Sequence, residues 1–297
     1  MQTISFKEDH ISQIPALQML IKLGYKYLSP LDALQARGDK TTNVVLEDIL
    51  RKQLREINSI QTWTSKISYF SDANIEAGIR AIKEVPFNEW YITATEYIYD
   101  LLTLGKTLEQ SIDGDKKSFN LKYIDREHPE RNVFHVTEEF SVMRAGSKEQ
   151  YRPDIILFVN GIPLCVIECK RPDMKDPLPQ AISQHIRNQQ EDGIRSLYVY
   201  SQINLALATN EAKYGTAGTP EKFRGSRTEK FENDEQVNKY QAKLIGLKWE
   251  PLSDEVKDQL FSDRFKYVRQ HFDQLETDAL PTTQDQYLVN LCEPRDC

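Results

Sequence analysis

Apolar residues recur at helical spacing in the first part of the chain. Residues 11–23 and 44–57 place apolar side chains three or four positions apart, which is the pattern of an amphipathic helix. A third helix is predicted to end near Val85, before a proline, and a fourth to run from a cap at Asn88 to about Leu104, before a glycine. These helices carry no chemistry of their own, and we interpret their apolar stripes as packing surface.

The pattern changes to that of β-strands near Asp113-Gly114. Alternating and then continuous apolar runs follow, and the continuous runs are rich in β-branched residues, which is typical of strands buried on both faces. Asn160-Gly161 separates two of these runs and is a strong signal for a hairpin turn. The predicted strands are 119–123, 132–142, 155–159 and 162–167.

The remaining sequence predicts further helices and strands around a loop rich in Gly, Thr and Pro. Residues 224–238 are highly charged, and we interpret them as a mobile or solvated segment. The other predicted elements are a helix over 179–191, strands over 197–201 and 204–209, the loop over 214–220, and helices within 254–275.

Composition and charge describe an ordinary globular protein. The 297 residues include 38 Lys and Arg against 45 Asp and Glu, and the net charge of −7 excludes a chain that holds DNA or an anionic membrane by bulk charge alone. The sequence has no apolar run long enough to cross a membrane and does not begin like a signal peptide, so we expect a cytoplasmic protein. The four cysteines lack the spacing of a zinc site, and we expect free, buried thiols.

Charged residues at the end of a buried strand are the most informative feature of the sequence. Glu168 and Lys170 end the run that begins at Ile162, and their spacing of two puts them on one face of the strand. Asp154, behind Pro153, enters the preceding run and can supply a second carboxylate. Because an unpaired charge is costly in a buried strand, these residues predict a chemical site.

The register of the hairpin decides whether the two carboxylates meet. With a two-residue Asn160-Gly161 loop, Asp154 would oppose Ile167 and point away from Glu168. A three-residue loop or a bulge shifts the register by one residue, and Asp154 then opposes Glu168 directly. The site therefore requires an extra residue or an equivalent distortion in this hairpin.

Two close carboxylates repel each other, and a hard divalent cation such as Mg²⁺ relieves that repulsion. A cation so placed can polarise a phosphate and lower the pKa of a bound water, while Lys170 can orient or help deprotonate the water and offset charge in the transition state. Asp154, Glu168 and Lys170 therefore predict metal-assisted phosphodiester hydrolysis. Glu138-Glu139 is a further candidate carboxylate pair near this site.

The same residues resemble a known nuclease motif. Pro153-Asp154 followed by Glu168-Cys169-Lys170 matches the PD-(D/E)XK pattern of restriction-endonuclease-like nucleases. The stretches RPDIILFVNGIPLCVIECKRP, LYVYSQINLALATN and AKYGTAGTPEKF resemble the N-terminal nuclease region of the restriction (R) subunit of type I restriction-modification enzymes. The resemblance covers nearly the whole chain.

The resemblance implies an α/β fold with a restriction-endonuclease-like PD-(D/E)XK core, in which helices flank a mixed sheet, and with helical N-terminal and C-terminal extensions. It implies a Mg²⁺-dependent endonuclease without sequence specificity of its own, in which Asp154 and Glu168 hold the metal and Lys170 is catalytic. The implied partners are double-stranded DNA and the methyltransferase (M) and specificity (S) subunits. The expected regions are a helical N-terminal region at 1–114, the nuclease core at 115–210 and an extension at 211–297.

The family also carries a QxxxY motif in the helix after the catalytic lysine. Gln184 matches the glutamine and is expected to take part in catalysis, whereas Asn188 stands at the position of the tyrosine. Arg187 lies between them and is a candidate phosphate contact. The candidate DNA-binding residues are Arg187, Asn188, Arg152 and Arg171.

Family members couple cleavage to ATP-driven translocation, but the sequence contains no GxxxxGK[ST] phosphate loop. We expect the chain to be a fragment of a longer polypeptide, in which ATP binds only through a separate motor domain. Two alternatives stay open: a nuclease-fold module that no longer cuts and serves assembly or DNA docking, and a stand-alone repair or defence nuclease.

Overall fold

A mixed six-stranded sheet lies between two layers of helices in a computed structural model of the chain. The structure describes residues 12–61, 67–85, 91–226, 230–262, 265–266, 269, 272 and 279–294. The α/β class, with a mixed sheet flanked by helices, is as expected from the sequence.

The helices lie at both ends of the chain and between the later strands. They are α1 (Ile14–Lys22), α2 (Pro30–Ala36), α3 (Glu47–Ile57), α4 (Asp72–Lys83), α5 (Tyr91–Leu104), α6 (Pro177–Asn188), α7 (Arg195–Tyr198), α8 (Asp234–Trp249), α9 (Asp254–Leu260) and α10 (Thr283–Cys292). Ser71 caps α4 by accepting a hydrogen bond from the Asn74 backbone N–H, and Gly105 ends α5 with a φ of +74°. The predicted cap at Asn88 lies outside the described residues.

The strands are β1 (Lys26–Tyr27), β2 (Ile60–Gln61), β3 (Ile67–Ser68), β4 (Lys106–Ile112), β5 (Asp115–Leu121), β6 (Phe134–Glu138), β7 (Val142–Met143), β8 (Gln150–Tyr151), β9 (Ile155–Val159), β10 (Ile162–Cys169), β11 (Ile203–Ala208) and β12 (Glu211–Gly215). The six-stranded sheet has the order β1-β6-β9-β10-β11-β12. The pairs β1–β6 and β10–β11 are parallel, and the other neighbours are antiparallel. The strands predicted at 155–159 and 162–167 are confirmed.

Each face of the sheet covers its own apolar core. Ile156, Phe158 and Val166 pack with the helices α3, α4, α5 and α7. The alternate residues of the same strands, such as Ile155 and Ile167, pack with α1, α8, α9 and α10. Because both faces are covered, β9 and β10 carry continuous apolar runs, and a charged side chain at their ends enters a dry environment.

Two sequence predictions are wrong, and a third holds only in part. Residues 195–198 form the helix α7 where a strand over 197–201 was predicted, because a short and fully buried apolar run has no periodicity that separates the two. The strand pattern begins at Lys106, since Asp113-Gly114 is the turn of the β4–β5 hairpin. The charged segment 224–238 is mostly exposed where the structure describes it, as the solvated interpretation expects, but Arg224 is buried and α8 begins at Asp234.

The sheet also takes strands from outside the predicted core of 115–210, namely β1 and β12. Among the described residues, no helix is long and apolar enough to cross a membrane. Cys165, Cys169 and Cys292 are free and buried, as predicted, and Cys297 lies outside the described residues.

Candidate active site

The β9–β10 hairpin turns at Asn160-Gly161, as the sequence predicts. Both residues have positive φ, +53° for Asn160 and +85° for Gly161, which the tight two-residue turn requires. A Cβ atom on Gly161 would lie 2.6 Å from the carbonyl oxygen of Leu46, so the turn packs closely on the start of α3. The Asn160 side chain donates to the Tyr123 carbonyl and so fixes the turn to the chain before β6.

A bulge in β10 then shifts the register by one residue. The shift lies between Pro163 and Cys165, and beyond it Ile167 pairs with Ile155. Continued by one step, this register sets Asp154 opposite Glu168, which a regular two-residue hairpin would not do. The distortion that the sequence analysis requires is therefore present.

Asp154, Glu168 and Lys170 converge at the end of β10. Asp154 Oδ2 accepts a hydrogen bond of 2.7 Å from the Cys169 backbone N–H and lies 3.9 Å from Lys170 Nζ. Lys170 Nζ also donates to the Cys169 carbonyl at 2.8 Å, and the Asp154 carbonyl accepts a bond from Gln13 in the turn before α1. Backbone groups and neighbouring side chains thus hold the three side chains within a small, nearly buried volume.

Glu168 is fully buried, and its Oε2 atom has no hydrogen-bond partner among the described residues. Burial, followed by the negative charge of Asp154, raises the pKa of the Glu168 carboxyl well above its ordinary value, while Lys170 and Arg187 act in the opposite sense. The Asp154 carboxylate is thus a close neighbour of the Glu168 carboxyl. Burial and the Asp154 charge therefore outweigh the cations Lys170 and Arg187 in their effect on the Glu168 carboxyl.

A divalent cation fits this arrangement. Mg²⁺ is commonly held by one or two carboxylates and keeps several waters, and the unpartnered Oε2 of Glu168 beside Asp154 offers such ligands. No group of three or more His, Cys, Asp or Glu side chains that could hold a metal occurs in the described part of the chain. The described residues that would hold a metal here are Asp154 and Glu168.

Glu138 lies on the other face of the sheet from this pair. It pairs with Ile155, whose side chain packs on the opposite face of the sheet from Asp154 and Glu168, and it accepts a hydrogen bond from the Tyr27 hydroxyl at 3.2 Å. Glu139 follows β6 with a φ of +47°, and its backbone N–H donates to the Asp154 carbonyl.

The helix α6 forms one wall of an open groove beside Lys170. Gln184 and Arg187 both face this groove, so the structure brings these two predicted site residues to the lysine. Arg187 is exposed, and its guanidinium carbon lies 5.1 Å from the centre of the Tyr151 ring. The groove is lined by Lys170, Lys175, Asp176, Pro179, Gln180, Ser183, Gln184 and Arg187.

The other predicted DNA contacts have different surroundings. Asn188 is buried, and its Nδ2 atom donates to Glu168 Oε1 at 3.4 Å, so it faces the carboxylates rather than the surface. Arg171 makes two hydrogen bonds to Asp173, at 2.7 and 2.9 Å. Arg152 is exposed next to β8.

Sequence reasoning missed Tyr198, a fully buried tyrosine behind Glu168. Its hydroxyl lies 2.9 Å from His185 Nδ1 and also interacts with the Asn188 side chain. In the predicted strand over 197–201, Tyr198 was interpreted as one of several buried apolar residues. The available signal was its hydroxyl, because a buried Tyr O–H usually has a partner.

Most of this chain is similar to known proteins. Residues 5–223 match the family described as type I restriction enzyme R protein N terminus. A Methanocaldococcus jannaschii protein, provisionally named type I restriction enzyme MjaIXP endonuclease subunit, is 28% identical over 220 residues, which are 72% of this chain and 20% of that protein.

A Haemophilus influenzae protein named type I restriction enzyme HindI endonuclease subunit is 29% identical over 216 residues, which are 70% of this chain and 19% of that protein. The chain thus spans about a fifth of the length of these relatives. The family match covers most of the chain and includes every strand of the sheet. This chain belongs to the type I restriction enzyme R protein N-terminal family.

Proposed function

We propose that the chain is the Mg²⁺-dependent endonuclease domain of a type I restriction enzyme R subunit, with a core of the PD-(D/E)XK type. The observation that carries the proposal is the bulge in β10, because it sets Asp154 opposite Glu168 with Lys170 beside them. Bulges are over-represented at sheet edges and next to active sites, where they redirect a side chain. The family match and the endonuclease names of the relatives support the same function.

The roles of the residues follow from their positions. When bound by Asp154 and Glu168, Mg²⁺ would polarise the scissile phosphate and acidify a water. Lys170 holds its ammonium group between the Asp154 carboxylate and the open groove, where it can orient the attacking water and offset charge on the phosphate. Gln184 lies in the same groove, where its amide can hydrogen-bond the water or a phosphate oxygen.

The groove suits the backbone of double-stranded DNA. Lys170, Lys175 and Arg187 outnumber Asp176 among its charged residues, although the chain as a whole has a net charge of −7. Such a local excess positions a phosphate without reading bases, which matches a nuclease that lacks its own sequence specificity.

The remaining partners are part of the same proposal. The relatives are named as subunits, which supports a multi-subunit enzyme. We place the methyltransferase and specificity subunits in that complex, and we place ATP binding in a motor domain that is separate from this chain. The specificity subunit would then choose the DNA sequence.

Cleavage of supercoiled plasmid tests the proposal. We expect the 297-residue chain at micromolar concentration to nick plasmid with Mg²⁺ and to stop when the metal is chelated. Asp154→Asn keeps the shape of the side chain but removes one of the two carboxylate charges, so it should reduce nicking to background.

A wild-type chain that leaves the plasmid intact under these conditions would favour the non-cutting module, which serves assembly or DNA docking. Equal nicking by wild type and Asp154→Asn would contradict the assigned site.

A further inference from the structure

Behind Glu168, three buried side chains form a polar network inside the apolar core. The members are His185 and Asn188, on α6, and Tyr198, on α7, and each is at most 1% exposed. His185 Nε2 lies 2.8 Å from the Leu205 carbonyl oxygen and Nδ1 lies 2.9 Å from the Tyr198 hydroxyl. Asn188 joins this hydroxyl to Glu168.

The donors and acceptors of the network have one consistent direction. A carbonyl oxygen only accepts, so His185 must donate through Nε2 to Leu205. In the neutral ring Nδ1 is then an acceptor, and the Tyr198 O–H donates to it. The Tyr198 hydroxyl also interacts with the Asn188 side chain, and Asn188 Nδ2 donates to Glu168 Oε1 at 3.4 Å.

Burial and a nearby cation keep the histidine neutral. Burial, followed by the positive charge of Arg224, lowers the pKa of His185 to about 3. Arg224 is itself buried, and its three guanidinium nitrogens have no hydrogen-bond partner among the residues that the structure describes. His185 is therefore a fixed acceptor for Tyr198 at any pH near neutrality.

We propose that Tyr198, oriented by His185, is a positioning residue that holds the Asn188 amide against Glu168 and so fixes the metal-binding carboxylate. The inference rests on the proposed function, since it assigns Glu168 to the metal. Glu168 Oε1 is turned toward Asn188, and Oε2 is left without a partner in the described structure. The network thus keeps one carboxylate oxygen occupied and presents the other.

The size of the effect follows from the general behaviour of metal sites. Groups that hydrogen-bond a metal ligand orient it, and their loss commonly weakens metal binding by about 10- to 100-fold. Tyr198 acts through Asn188, so we expect its loss to weaken Mg²⁺ binding by roughly 10-fold, the lower end of that range.

The test is calorimetric titration of Mg²⁺ into wild type, Tyr198→Phe and the matched control Tyr200→Phe. Both variants remove one buried hydroxyl from the same short segment, but the Tyr200 hydroxyl donates to the Ile82 carbonyl at 2.8 Å and does not contact the network. Only Tyr198→Phe should weaken Mg²⁺ binding. Equal Kd values for wild type and Tyr198→Phe would overturn the inference.

A second variant keeps the inference testable if Tyr198→Phe folds poorly. Asn188→Ala removes the amide itself and should weaken Mg²⁺ binding at least as much. Because the two residues act in series, the double variant should bind no more weakly than Asn188→Ala alone, whereas additive losses would refute the series. If Mg²⁺ does not bind the wild-type chain, or if it binds Glu168→Gln equally well, the proposed function fails together with this inference.

Discussion

Replacing Lys170 with alanine is expected to lower the rate of plasmid nicking by about 10²- to 10⁴-fold, the usual contribution of a group that handles a proton in the transition state. The ammonium group is almost buried, lies 3.9 Å from Asp154 Oδ2 and opens onto the groove with Gln184 and Arg187. Alanine removes this charge and leaves both carboxylates in place.

The metal affinity separates a catalytic loss from a structural one. Lys170 is a cation next to the proposed Mg²⁺ ligands, so its removal should leave Mg²⁺ binding unchanged or strengthen it. Lys170→Ala should therefore lower the nicking rate without lowering the Mg²⁺ affinity that calorimetry measures. If Lys170→Ala also stopped binding Mg²⁺, the lysine would have to be reassigned as a support for the carboxylates.

Lys248→Ala is the matched control for the loss of a lysine that is mostly shielded from solvent. Lys248 pairs with the buried Asp285 at 2.8 Å, and both lie in the helical layer that contains α1, on the other face of the sheet. We expect this variant to be less stable but to nick plasmid at the wild-type rate wherever it is folded. A nicking rate for Lys170→Ala equal to that of this control would contradict the catalytic role.

The second large effect is expected from Glu168→Gln, which should stabilise the metal-free protein by about 1–3 kcal/mol and abolish its response to Mg²⁺. Glutamine has the same shape, its amide can donate to Asp154, and its oxygen can still accept from Asn188. The substitution therefore removes a buried carboxyl whose ionisation opposes folding, without opening a cavity. Thermal unfolding with and without Mg²⁺ measures both changes.

The sign of the pH dependence follows from the raised pKa of Glu168. The pKa of Glu168 is higher in the folded state than in the unfolded state. Its contribution to the free energy of unfolding of the metal-free protein is therefore most favourable below the unfolded-state pKa. That contribution is lost as the pH rises through the folded-state pKa. Mg²⁺ binds the ionised form, so its stabilising effect should grow with pH, to about 2.7 kcal/mol at 100 times its Kd.

In Glu168→Gln, the Mg²⁺-induced rise in Tm should be absent at every pH. Glu138→Gln is the control, since Glu138 is also buried but lies on the opposite face of the sheet. A rise in Tm with Mg²⁺ that is the same in wild type and Glu168→Gln would show that the metal acts elsewhere.

Much of the site could be predicted from local sequence. The hairpin follows from features that depend only on neighbouring residues in the sequence. These are the continuous apolar runs, the Asn160-Gly161 turn and the charges at the strand end. The bulge was required by the chemistry but its position in β10 was not predictable, because Leu164 looks like any other apolar strand residue. The pairing between β9 and β10 decides which residue of β10 has no partner at the bulge.

The environment behind the site was not predictable for a different reason. Asn188 and Arg224 are polar residues that sequence patterns place on a solvated surface, yet both are buried. Tyr198 belongs to a short apolar run whose helical form depends on its packing on the sheet. In each case a tertiary contact decides the position of the side chain, and periodicity carries no information about it.

The net charge of −7 limits how tightly this chain can hold DNA by itself. The basic side chains in the groove are few, and Arg171 outside it is paired with Asp173. We therefore expect most of the DNA affinity of the whole enzyme to come from other parts of it, while this chain positions one phosphate at Lys170.

The central claim is that Asp154 and Glu168 together hold a divalent cation. A crystal structure of the chain soaked with Mn²⁺, with anomalous difference density, tests it most directly, because Mn²⁺ prefers oxygen ligands as Mg²⁺ does and is visible at low occupancy. The account predicts an anomalous peak between the two carboxylates, about 2.0–2.3 Å from one oxygen of each. A peak only at other residues, or none while both carboxylates are ordered, would contradict it.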